Sequence, residues 1–125
     1  MISKDTFISE ESHHCFYHNW CNSMTGMMDD YIYMPTNTED GEFIEEGYAR
    51  YALPGCVGSI DVAHVGWDAC SAADRIHYSG KEKYPTIAYE VICSNDKKIL
   101  SVTQGSPGTR GDKTIVKSDA TVRSL

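Results

Sequence analysis

Phe16, Trp20, Met24, Met27, Met28 and Tyr31 recur at helical spacing and form one apolar stripe. The stripe predicts an amphipathic helix over roughly residues 13–33, with Ser12 as N-cap and Pro35 as its stop. A polar loop, Thr36 to Gly41, follows. Phe43, Ile44 and Tyr48 then predict a short second helix with glutamates on its wet face, ended by Pro54-Gly55. Residues 56–65, CVGSIDVAHV, are short, apolar and rich in β-branched side chains, which predicts a buried strand with Asp61 in its middle. Gly66 to Tyr84 reads as a long polar loop with scattered aromatics. TIAYEVIC (86–93) and ILSVT (99–103) predict two more strands. The turn chemistry of Ser94 to Lys98 between them makes an antiparallel hairpin. After the Gly/Pro-rich loop Gly105 to Gly111, Asp112 is placed to cap a helix that starts near Lys113. The order is two helices, three mainly antiparallel strands and the start of a helix. This is an α/β class whose sheet needs more chain to finish. The outer edge of the third strand is expected to lack neighbours and to favour aggregation.

At 125 residues the chain fits one domain, and 41% apolar residues suffice for a core. No apolar run reaches membrane-span length, and the polar N-terminus lacks the pattern of a signal peptide. The expectation is a protein of nucleus or cytoplasm, neither secreted nor in a membrane. Five cysteines at irregular spacing, without C-x-x-C, speak against a disulfide framework and a standard zinc module. The net charge of −7 is uneven. Residues 1–60 carry ten acids and two bases, residues 61–125 eight acids and nine bases. Only the second half offers the basic face that a nucleic acid would seek.

Asp61 is the sharpest chemical feature. A carboxylate inside an apolar strand is costly unless it is paired or metal-bound, and the pattern fits a structural acid and a metal ligand equally. The loop Gly105–Thr114 sits where a phosphate loop would. Five residues instead of four separate Gly105 from Gly111, however, and Asp112 would repel a phosphate. His14, His18 and Cys21 fall at i, i+4 and i+7 on one helix side, a spacing able to hold a metal, although polar helix flanks explain them more simply. His64 lies on the strand face opposite Asp61 and reads as a packing or hydrogen-bonding residue rather than a ligand. Trp67, Tyr78 and Tyr84 interleave with Arg75, Lys81 and Lys83. Such a loop is able to clamp nucleic acid, against the simpler reading of a solvated loop with anchoring aromatics.

Leu53-Pro54-Gly55-Cys56-Val57-Gly58-Ser59-Ile60-Asp61, then Ala63-His64-Val65 and Trp67, resembles the opening motif of Harbinger-type transposases of the DDE superfamily. Ile99-Leu100-Ser101, Gly105-x-Pro107 and Gly111-Asp112-Lys113-Thr114 continue the resemblance, as does Phe16-x-x-x-Trp20 before them. It spans roughly residues 15–120. It implies the N-terminal part of a ribonuclease-H-like nuclease fold, with residues 1–12 as a polar tail, 13–52 as a helical lead-in and 53–125 as a partial DDE nuclease domain. It implies cleavage and strand transfer of DNA with two magnesium or manganese ions held by carboxylates. Asp61 maps onto the first acid. Asp112 maps onto a recurrent aspartate that is a helix cap or a supporting residue beside the site, or else the second acid. Trp67, Arg75, Lys81 and Lys83 become candidate DNA contacts, and a Myb-like DNA-binding protein a candidate partner. Gly111 stands where many relatives have asparagine. No Gly-Asp-x-Gly-Tyr strand and no later glutamate-bearing helix occur in the sequence. On this reading the chain is a fragment of the parent nuclease that lacks catalytic acids and does not cut, or else a non-catalytic module that binds DNA or protein.

Overall fold

The computed structural model describes residues 8–124. The first seven residues of the expected polar tail lie outside them. The chain divides into two compact units, Met1–Ile32 and Tyr33–Leu125.

In the first unit, helix α1 (Glu10–Gly26) is followed by a single turn, α2 (Met28–Tyr31). The N-cap is Ser9, not Ser12: the Ser9 hydroxyl accepts the Ser12 amide at 3.1 Å. Glu10 and Glu11 in the first turn favour this start by their charge. The helix breaks at Met27 (φ −95°, ψ 0°), one residue past Gly26. The predicted single helix to residue 33 is therefore two pieces, and the chain has left helix by Ile32, ahead of Pro35. Neither piece buries a residue. Phe16, Trp20 and Tyr31 of the apolar stripe are exposed.

The second unit opens with α3 (Thr38–Ala49). Asn37 caps it, accepting the Asp40 amide at 2.8 Å and donating to the Asp40 carboxylate at 3.0 Å. The inner side of α3 presents Ile44, Gly47 and Tyr48. The sheet consists of β1 (Ser59–Gly66), β2 (Thr86–Cys93) and β3 (Ile99–Val102) in that spatial order. A two-residue β4 (Ser106–Pro107) also pairs with β2. All pairings are antiparallel, and β1 runs from Ser59 opposite Cys93 to Gly66 opposite Thr86. A one-turn helix α4 (Arg75–Tyr78) interrupts the segment expected to be loop. Helices α5 (Asp112–Ser118) and α6 (Ala120–Ser124) close the order. The class and order are those expected: helices, antiparallel strands, then helix.

Alternation along β2 defines an inner face. Thr86, Ala88, Glu90 and Ile92 are buried, while their odd-numbered neighbours are half-buried. Ile92, Leu100, Ile44 and Tyr48 form the core, with Met34, Cys56 and Val122 packed against it. The Tyr48 hydroxyl ties α3 to the sheet through Ser59 Oγ (2.8 Å) and the Cys93 carbonyl (3.0 Å).

β1 is not a buried strand but an edge strand, and six of its eight residues are exposed. Its apolar composition reflects propensity for extended structure, while burial depends on a neighbour that only β2 provides.

Candidate functional site

The site lies where the far end of β1 meets the start of α5. Antiparallel partners share a face, so Val62 and His64 on β1 stand on the inner face with Glu90 and Ala88. Asp61 belongs to the opposite, exposed face, as the strand period requires. It is solvated, so the burial cost that would have demanded a partner does not arise. Its Oδ1 accepts the Val62 amide at 2.9 Å.

Asp112 opens α5. It is not the cap: Gly111 holds the N-cap position, and no side chain caps the helix. The Asp112 carboxylate is drawn elsewhere. Oδ1 faces His64 Nε2 at 3.3 Å and Oδ2 meets Lys81 Nζ at 3.1 Å. On its other side His64 Nδ1 lies 3.1 Å from Thr86 Oγ1. A carboxylate only accepts, so Nε2 donates to it, while Nδ1 and the Thr86 hydroxyl share the second hydrogen bond. The His64 side chain is 8% exposed, whereas those of Asp112 and Lys81 are 47% and 58% exposed. His64 first and Lys81 second hold the Asp112 carboxyl below the usual carboxylate range.

Backbone packing delivers Lys81 to this point. Gly80 lies directly against the Gly108 carbonyl, and a Cβ on Gly108 would overlap Thr86 Oγ1. The Gly108 amide donates to the Thr86 carbonyl at 2.9 Å, and Thr109 Oγ1 donates to the His77 carbonyl at 2.7 Å. Trp67 and Tyr78 meet edge to face, with ring centroids 4.8 Å apart. The segment read as a polar loop is thus folded around its aromatics and pinned to the 105–111 loop. That loop in turn packs Gly105 against Ile87 and Tyr89.

Of the nucleic-acid candidates, Arg75 and Lys83 are exposed, Trp67 is half-buried against Tyr78, and Lys81 is engaged by Asp112. Asp61 and Asp112 border one open groove of about 300 Å³, together with Ile60, Val62, Lys113 and Val116. The structure also places His14 and His18 in contact on α1, with Nε2 atoms 3.2 Å apart.

The resemblance implies magnesium or manganese, which take oxygen ligands, magnesium commonly through one or two carboxylates with water. Asp61 keeps one oxygen free of the Val62 amide. Both oxygens of Asp112 face a nitrogen donor, one of them cationic. No group of three His, Cys, Asp or Glu able to hold a metal occurs among the described residues. These residues do not fit a two-metal cluster.

Sequence reasoning missed Glu90. It is 1% exposed on β2, neither carboxylate oxygen has a hydrogen-bond partner, and Asp119 lies beside it. Burial above all, with the Asp119 carboxyl adding to it, pushes the Glu90 pKa up to about 7. The signal was present: an acid in the middle of TIAYEVIC, in phase with Thr86, Ala88 and Ile92.

No helix among the described residues is long and apolar enough to cross a membrane. The model of a plant transposon protein family matches residues 29–123, about three quarters of the chain. No curated protein and no solved structure matches it.

Proposed function

The chain belongs to the plant transposon protein family, and on that premise we propose that it carries the first-acid part of a Harbinger-type DNA-cleaving domain of ribonuclease-H-like fold. The observation that carries this reading is the place of Asp61. It is solvated on the edge strand of the sheet and borders the same groove as Asp112. Sequence motif and exposed position coincide there. A carboxylate at an open strand edge is accessible to a hard cation and to a DNA phosphate, as a buried structural acid would not be. Asp112 has a different task. Held by His64 and Lys81, it fixes the start of α5 against β1 and shapes the groove wall. Arg75 and Lys83, and Lys113 and Lys117 along the groove itself, are exposed bases available to the DNA backbone.

One strong carboxylate ligand does not make a two-metal site, so on this reading the chain by itself does not cut DNA, and the role we assign to it is DNA binding. Supercoiled plasmid incubated with the chain and Mn²⁺ tests this directly. The expected result is no nicking above the Asp61→Asn level, with a gel shift that weakens steeply as salt rises. Metal-dependent nicking that is lost in Asp61→Asn would overturn the inactivity. Absence of any salt-sensitive shift would overturn the DNA-binding role.

A further inference from the structure

We propose that His14 and His18 on α1 bind one divalent transition-metal ion of the zinc, nickel and copper class. The two residues are one helical turn apart, so their side chains rise on the same side of the helix. Their rings already face each other, with centroids 4.3 Å apart and planes at 58°. Their Nε2 atoms are 3.2 Å apart. Two imidazole nitrogens about 2.05 Å from one tetrahedral metal lie about 3.3 Å from each other. The helix therefore holds the two donors at the bite that such an ion requires.

The proton balance is simple. In the metal-free contact one neutral ring donates its Nε2 proton to the lone pair of the other. When the ion enters, the donor ring shifts that proton to Nδ1 through solvent, and both Nε2 lone pairs point at the metal. No net proton is released between neutral rings. Acid weakens binding, because protonated imidazole offers no lone pair.

Cys21 stands outside the site. Its thiol interacts with the Tyr17 hydroxyl, one turn back on the helix. Both histidines are exposed, so water completes the coordination and the site stays open. Imidazole ligands select the borderline ions over magnesium and manganese, with copper bound most tightly. The site is thus chemically distinct from the carboxylates of the β1 groove. It also lies outside the segment matched by the transposon family, which begins at residue 29. Since α1 buries no residue, a bridge across one of its turns adds directly to its helical stability.

The test uses the full 125-residue chain and side-chain NMR of its five histidines. One equivalent of Zn²⁺ is expected to move the ring signals of His14 and His18 together and to slow amide exchange around them. His64 and His77 should stay unmoved. Loss of a mere outer partner costs about 10–100-fold in metal affinity, so His14→Ala or His18→Ala is expected to weaken Zn²⁺ binding at least about tenfold. Both positions are exposed, so neither variant should disturb folding. Cys21→Ser is expected to bind as the parent does. The proposal is overturned if neither ring responds to Zn²⁺, if His14→Ala binds as tightly as the parent, or if Cys21→Ser abolishes binding.

Discussion

Glu90 on β2 faces Asp119 at the joint between α5 and α6, and the two carboxyl groups find almost no donors there. Both Glu90 oxygens and Asp119 Oδ2 are buried without a hydrogen-bond partner, while Asp119 Oδ1 accepts the Thr121 amide at 2.6 Å. Two like charges cannot share such a place cheaply, so one group keeps its proton.

This sets a pH dependence of folding. The Glu90 pKa rises from its ordinary 4.5 to about 7 in the folded chain. Between those values the folded state holds a proton that the unfolded state has released. The stability from this group is fully present below pH 4.5 and is lost as pH rises through about 7, by roughly 3 kcal/mol in all. Asp96 and Asp112, whose pKa values are lowered, act below 3.8 and do not blur that window. Urea unfolding at pH 5 and pH 8 should show the loss. Glu90→Gln should flatten the profile and be more stable than the parent at pH 8. A parent profile as flat as that of the variant would refute the assignment.

His64 bridges Thr86 and Asp112, so its removal strands a fully buried hydroxyl. His64→Ala is expected to cost about 1–3 kcal/mol in denaturant unfolding. It should also let the Asp112 pKa return towards its ordinary value, read by carboxyl NMR. An unmoved Asp112 would mean that Lys81 alone holds it.

Gly108 has no room for a side chain, because Thr86 and the Tyr78 carbonyl fill the space a Cβ would need. Gly108→Ala should destabilise by at least about 2 kcal/mol in thermal melts. Gly41→Ala, in the body of α3 with nothing within 4 Å of the added carbon, should instead stabilise by about 0.5–1 kcal/mol. Equal effects would show that close backbone approach is not what Gly108 serves.

Tyr48→Phe keeps the ring in the core and deletes the two hydrogen bonds from α3 to the sheet. The expected cost is about 1 kcal/mol in midpoint denaturation. A neutral result would mean that water replaces both contacts.

Local patterns were readable where local chemistry decides. β2 runs from Thr86 to Cys93 as its alternation and flanking turn require. The hairpin to β3 follows from the Ser94–Lys98 turn, where the Ser94 amide bonds the Lys98 carbonyl at 2.9 Å. Burial of β1 was misread because an apolar strand carries no mark of whether a neighbour lies on both sides. The α1 cap was misplaced by three residues, since Ser9 and Ser12 are equally good caps and only the turn geometry chooses. His64 and Asp112 are 48 residues apart, and no spacing rule joins them. Glu90 is legible by the same argument as Asp61, as an acid inside an apolar strand. The structure reverses the two: the acid in β2 is the buried one and the acid in β1 is wet.

The open edge of β1 bears on how copies of the chain behave towards each other. The outward backbone groups along Ser59–Gly66, apart from the Val62 amide that Asp61 holds, offer a template on which a second copy could stack. Asp61 sets a negative charge beside that template, and stacked copies would bring these charges together. The carboxylate thereby acts as a guard of colloidal solubility as well as a candidate ligand. Whatever neutralises it, whether acid, an amide substitution or a bound cation, makes the edge stickier.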